Sequence, residues 1–184
     1  MKKTKKMTLC GLFVALIAVG AFIKVPVPVV PFTFQFLFTM IAGLLLGGKF
    51  GALCVCVYIV LGLTGIPIFA EGGGFWYILK PSFGYIIGFA VASYVTGSMV
   101  EHMKKYCISR ILIANFTGLA IVYGFGMLYY YLIGNYVINS PIGIKALFIY
   151  CFVLAVPGDI VLCILAAFLA YRVKPILRNM HILV

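Results

Sequence analysis

The residue of this chain best placed to do chemistry is Asp159. The 184 residues contain three acids, Glu71, Glu101 and Asp159. Only Asp159 falls inside a long apolar run, where it directly follows Pro157 and Gly158. A carboxylate in that setting accepts hydrogen bonds or carries a proton. Charged at the centre of a bilayer it costs about 2.5–3.5 kcal/mol, so it is expected to face other helices and to have a partner. Two further readings stay open. Asp159 could cap a half-helix beginning at Ile160, once Pro157 has interrupted the hydrogen-bond ladder. It could also relay protons, although a relay needs further ionisable groups and no other acid or histidine lies in an apolar run.

The remaining reactive residues point away from catalysis. Five of the six cysteines, Cys10, Cys54, Cys56, Cys151 and Cys163, fall in apolar runs and Cys107 in a basic connection, so a disulfide framework is not expected. Cys54 and Cys56 are two apart and face different sides of a helix, which makes a poor metal pair. No GxxxxGK[ST] sequence occurs, so ATP hydrolysis by this chain is not expected. No cofactor or metal is called for.

These residues sit in a strongly apolar background. The chain is 65% hydrophobic and 9% charged, with a mean hydropathy of +1.23. That leaves too little polar surface to cover a soluble globule, and an integral membrane protein is expected. A formal charge of +11 would suggest nucleic acid in a soluble protein. Here the basic residues lie between and beyond the apolar runs, where they set topology in the lipid bilayer, and no nucleic acid is implied.

Six spans can be drawn, at 7–23, 32–48, 51–69, 82–100, 111–133 and 146–171, against the roughly 20 residues that a crossing helix needs. The expected fold is an all-α membrane protein: a six-transmembrane-helix bundle forming one integral membrane domain over 1–184. The first run follows Lys2, Lys3, Lys5 and Lys6, like a secretory signal, but no small-residue cleavage site follows, and it reads as a retained span. With the N-terminus cytoplasmic, the inner segments hold Lys2, Lys3, Lys5, Lys6, Lys49, Lys104, Lys105, Arg110, Arg172, Lys174 and Arg178, which is 11 of the 14 basic residues. The outer segments hold Lys24, Lys80 and Lys145. Both termini are therefore expected in the cytoplasm of a multi-pass protein of the cell membrane.

Spacing within the runs refines the picture. Counting from Lys145, 14 residues at about 1.5 Å each put Asp159 roughly 21 Å deep, near mid-membrane. Ala155, Asp159, Cys163, Ala167 and Tyr171 recur every four residues, a mostly small stripe that neighbouring helices can approach. Gly84, Gly88, Ala92 and Thr96 make a similar face, as do Gly118, Val122 and Gly126. Gly11, Ala15 and Ala18 make a fourth, free to meet a sister helix or another protein. The outer connections are Pro-rich (24–31) or Gly-rich with aromatics (71–77), which suggests a ligand site with an external entrance.

Four segments taken together resemble the BioY family, the biotin-uptake S components of energy-coupling factor (ECF) transporters. They are VPVPVVPFTFQ (25–35), GLLLGGKFGALCVCVYIVLGLTGIPIFAEGGGF (43–75), KPSFGYIIGF (80–89) and VPGDIVLCILAA (156–167), in order over almost the whole chain. The resemblance implies a six-helix subunit that binds biotin near the outer face. It implies partners too: a transmembrane coupling protein (EcfT-type) and two cytoplasmic ATPases. It further implies that Asp159 accepts from the ureido N–H groups and that Lys80 meets the carboxylate. Trp76, Tyr77, Tyr85 and Phe75 would form an apolar wall, Gln35 an amide partner, and Gly73 and Gly74 a close backbone approach. Gly11, Ala15 and Ala18 become the face for the coupling protein. Some members carry a Lys shortly after the aspartate, where this chain has Leu162. A self-sufficient secondary transporter for a small carboxylated vitamin is the alternative. An intramembrane enzyme would need a paired acid, a histidine or a metal cluster in the spans, which the sequence lacks.

Overall fold

The structure, a computed structural model, describes residues 3–25, 31–103 and 106–179. Of the residues invoked above, Lys2, Lys104, Lys105 and the prolines and valines at 26–30 lie outside the described residues, as do the side chains of Lys3 and Arg178.

The apolar runs fold into helices, as their composition demands in a medium that offers no other hydrogen-bond partners. The order is α1 (Lys3–Phe22), a two-residue ribbon of β1 (Lys24–Val25) and β2 (Phe32–Thr33), α2 (Gln35–Leu46), α3 (Gly48–Leu63), a 3₁₀ turn (Phe75–Leu79), α4 (Phe83–Glu101), α5 (Ile108–Tyr136), α6 (Ile144–Phe148), a π-helical segment (Ile149–Val153) and α7 (Val156–Asn179). Among the described residues, four stretches are long and apolar enough to cross a membrane: Thr4–Phe22, Phe83–Glu101, Ile108–Tyr136 and Ile144–Leu177. The chain is a membrane protein built almost wholly of helix.

Two of the six expected spans are shorter than drawn. α2 has 12 residues and α3 has 16, so at about 1.5 Å per residue they reach roughly 18 and 24 Å. Phe32 and Thr33, expected to be helical, are extended and pair antiparallel with Val25 and Lys24. Beyond Leu63 the helix stops at Gly65, whose φ of +107° suits glycine, just before Pro67. The two helices form a tight hairpin about Gly47, at φ +88°.

The last apolar run is irregular, but not where Pro157 suggested. The break falls earlier, at the π-helical Ile149–Val153 and the turn that follows it. Pro157 then sits in the first turn of α7, where a missing N–H is harmless. The capping reading of Asp159 is corrected by the same geometry. α7 begins at Val156, and the Asp159 backbone N–H already bonds Ala155 O at 3.2 Å, so the residue lies inside the helix rather than before it.

Small residues set the closest packing. The α4 face of Gly84, Gly88, Ala92 and Thr96 is buried against α5: a Cβ on Gly88 would stand 3.0 Å from Val122 Cα, and one on Gly118 would meet Thr96 and Met40. In the stripe that runs from the turn before α7 along that helix, Cys163 and Ala167 are buried and Ala155 and Asp159 half-buried, while Tyr171 at its end is exposed. Cys54 is buried and Cys56 exposed, on different sides of α3 as the spacing required. α1 buries Cys10, Phe13, Ile17 and Ala21 and leaves Gly11 and Ala15 exposed, with Ala18 half-buried.

The start of α1, the α2–α3 turn and the last turns of α7 gather at one end of the bundle. Lys6 lies over the Phe50 ring, and Lys174 Nζ donates to Leu44 O at 2.8 Å. Glu101 Oε2 accepts from the Gly48 N–H at 3.2 Å, an anion at the N-terminus of α3. The ribbon and the 69–82 loop gather at the opposite end.

Candidate functional site

Near the ribbon end a cavity opens between α2, α4, α5 and the start of α7. The atom-free space among its lining residues, open solvent at the mouth included, is about 630 Å³. Phe36, Ile86, Phe89 and Val122 give it an apolar wall, and Gln35, Tyr77, Ser82, Tyr85, Tyr123 and Asp159 add polar groups. An apolar enclosure with a few convergent polar atoms is what a small-molecule site needs.

Asp159 enters from the first turn of α7. Its Oδ2 accepts a hydrogen bond from the Tyr123 hydroxyl at 2.5 Å. Tyr123, on α5, is itself 3% exposed, and its ring is held edge-on by Tyr85 at 5.9 Å and by Phe152 at 5.3 Å. Tyr123 is not among the residues that the sequence singles out. Tyr123 directly follows Val122 on the small-residue face of α5, and that adjacency was the signal available. Tyr85, expected only as apolar wall, also donates from its hydroxyl to Cys151 O at 3.3 Å, in the π-helical segment. A π turn shifts the backbone ladder, and this phenol satisfies a carbonyl there.

Gln35 is the first residue of α2 and projects into the same cavity. It is 3% exposed; among the described residues its Nε2 makes no close hydrogen bond, though the amide stands near the Tyr58 hydroxyl. Buried polar atoms are almost always paired, so an unmade donor facing a cavity marks a place for an acceptor.

The outer wall is built by the 69–82 loop. Phe69 is fully buried on Tyr58, Tyr77 and Phe83, with Tyr77 only 4.5 Å away between ring centroids. Tyr129 OH bonds Ile78 O at 2.6 Å, and Lys24 Nζ bonds Ala70 O at 2.9 Å, tying the ribbon to the loop. Burial pushes the Tyr77 phenol above its ordinary value, so it remains a neutral hydroxyl. Phe32 lies against Gly158, where any side chain would meet its ring.

The other residues singled out from the sequence are not brought into the cavity lining. Trp76 is 78% exposed and Phe75 is exposed beside it. Gly74 donates its N–H to Gly62 O at 2.7 Å, and a Cβ on Gly73 would strike the Ile66 carbonyl, so both glycines seat the loop on the end of α3. Lys80 forms an ion pair with Glu71 at 2.9 Å, both side chains about two-fifths exposed. Its Nζ is also 5.0 Å from the Tyr77 ring centroid, so the ammonium stands beside a residue that lines the cavity.

Comparison with known proteins gives a consistent picture. The family model described as the BioY family matches residues 1–179. The chain is similar to "Probable biotin transporter BioY" of Lysinibacillus sphaericus, 40% identical over 178 residues that cover 97% of this chain and 91% of the relative. It is also similar to "Biotin transporter BioY" of Thermotoga maritima, 36% identical over 89% of this chain and 92% of that one. Among solved structures it resembles the S-component for biotin from an ECF-type ABC transporter, with a TM-score of 0.71 and 27% identity, covering 95% of this chain and 93% of the other.

Proposed function

The chain belongs to the BioY family, and from that premise we propose that it is the biotin-binding S subunit of an ECF-type importer, a transport protein rather than an enzyme. On this reading it captures biotin from outside, and a transmembrane coupling protein with two cytoplasmic ATPases drives uptake. The observation that carries the reading is the meeting of Asp159 and Gln35 in one largely apolar cavity, each with hydrogen-bonding capacity left over.

Biotin's functional groups match that lining. Its ring system and valeryl chain suit the Phe36, Ile86, Phe89 and Val122 wall. The ureido head offers N–H donors to Asp159 and a carbonyl to a donor. Its carboxylate would reach the mouth, where Lys80 exchanges Glu71 for the ligand. A pair so exposed is worth little, so that exchange is cheap. Tyr77 and Tyr85 contribute from the lining, with Trp76, Gly73 and Gly74 in the loop behind them.

The same reading places the protein in the membrane as one integral domain. The chain crosses six times, with the two short helices counted and both termini cytoplasmic, so that the ribbon and the 69–82 loop face outside. The exposed Gly11 and Ala15, with Ala18 beside them, then offer α1 to the coupling protein.

The test is transport by purified protein in liposomes with and without the coupling and ATPase subunits. Accumulation of biotin is expected only with those subunits and ATP; accumulation without them would overturn the S-subunit reading in favour of a secondary transporter. In parallel, Asp159→Ala should weaken biotin about tenfold to a hundredfold by titration calorimetry, the worth of a charge-assisted hydrogen bond.

A further inference from the structure

We propose that a separate groove, between the second half of α5 and α6, binds an anionic phospholipid, with an acyl chain against the helices and the phosphate at Lys145. The groove shares no lining residue with the cavity described above.

Met127, Leu128 and Tyr131 of α5 face Ile144, Leu147 and Phe148 of α6 across a cleft of about 370 Å³. Among these six side chains Tyr131 brings the one hydroxyl. Leu128, Ile144 and Phe148 are exposed, and in α6 only Leu147 is buried. Both helices belong to stretches long and apolar enough to cross a membrane, so the cleft opens into lipid. Its α5 wall spans about one helical turn. It therefore grips part of an acyl chain and leaves the rest in the bilayer.

The charge at its edge selects the headgroup. Lys145 directly follows Ile144, on the flank of the α6 face that lines the groove, and is exposed. Of the three lysines assigned to the outer side, Lys24 donates to Ala70 O and Lys80 pairs with Glu71. Among the described residues the Lys145 ammonium meets no carboxylate and no carbonyl. Its long stem can reach up to headgroup level, where one lysine favours an anionic lipid about fivefold over a zwitterionic one.

Protein partners fit the groove less well. α1, the helix offered to the coupling protein, packs on α2 and α3, whereas α6 packs on α5. A second copy has no free acid to bring to Lys145. Of the three in the chain, Asp159 lines the cavity, Glu101 accepts from Gly48 at the opposite end, and Glu71 holds Lys80.

The test is photolabelling of the full chain in phosphatidylcholine liposomes. A trace of phosphatidylglycerol with a diazirine in one acyl chain is compared with the matching phosphatidylcholine probe, and adducts are mapped by mass spectrometry. Phosphatidylglycerol adducts should concentrate on 127–131 and 144–148 over the exposed faces of α1 and α7. Groove labelling should exceed that by the phosphatidylcholine probe about fivefold, and Lys145→Gln should bring the two probes together. Labelling of α1 and α7 in the same sample is the reference, so loss of folded protein does not imitate the result. Even labelling of all exposed apolar faces, equal labelling of the groove by the two probes, or a preference that survives Lys145→Gln would overturn the proposal. So would an unlabelled groove, whether bare or covered by a second copy in protein that runs as a dimer. None of these outcomes depends on biotin.

Discussion

The hydrogen bond from Tyr123 changes what Asp159 asks of its surroundings. An acid inside an apolar run needs a partner, and a phenol from α5 meets it directly. Tyr123 is therefore expected to matter as much through Asp159 as through any contact of its own. Tyr123→Phe removes one charge-assisted hydrogen bond, about 1.5–3 kcal/mol, and should weaken biotin roughly tenfold or more. In the background of Asp159→Ala the same change should cost little, and that non-additivity is read by comparing the double variant with the two single ones. Lys80 stands apart from these two, because it is partly in water and already paired with Glu71. Lys80→Ala should weaken biotin a few-fold more than biotin amide, which lacks the carboxylate; equal losses would remove Lys80 from the site.

Among the helices, glycine decides how closely neighbours approach. A Cβ on Gly51 would stand 2.6 Å from Gly43 Cα across the α2–α3 hairpin, a contact with backbone that no rotamer relieves. Gly51→Val should then destabilise the bundle by about 1–3 kcal/mol, lowering the thermal midpoint in detergent by roughly 2–10 °C. Gly11 on α1 is the contrasting case, since nothing among the described residues stands within 4 Å of its Cβ position. Gly11→Val should leave both the midpoint and biotin affinity unchanged while lowering ATP-driven uptake, if that face meets the coupling protein. A fall in midpoint equal to that of Gly51→Val would place the Gly11 face inside the fold. The π-helical segment is a further element-scale feature. The Pro157–Gly158 pair pointed to a break there, but the irregularity sits about a turn and a half earlier, where Tyr85 donates to Cys151 O.

For the molecule as a whole, the charge pattern and the structure bear on different questions. The 11 of 14 basic residues assigned to inner segments predict orientation. The fold brings the start of α1, the α2–α3 turn and the last turns of α7 to one end, which agrees with an even number of crossings. Labelling tests this directly. With Cys56 and Cys107, the cysteines that are not buried, replaced by Ala, a membrane-impermeant maleimide added outside intact cells should label Ser140→Cys and spare Lys49→Cys. Both positions are exposed. The reverse pattern would invert the topology.

Several features were legible from the sequence because they depend on composition and period alone. Apolar runs must become helices in lipid, every fourth residue shares a face, and one acid among apolar residues must turn inward. The small-residue contact of α4 with α5 and the inward turn of Asp159 follow from those rules. Other features depend on which segments meet. Tyr123 and Asp159 are 36 residues apart, Gln35 and Asp159 share a cavity from different helices, and Lys80 prefers Glu71 over the cavity. Spacing within one helix cannot specify a partner on another, because that choice is made by the packing of all the helices at once. So the sequence by itself determined a helical membrane protein with a buried acid and a family likeness, and the tertiary structure decided which donor that acid meets and which amide shares its cavity.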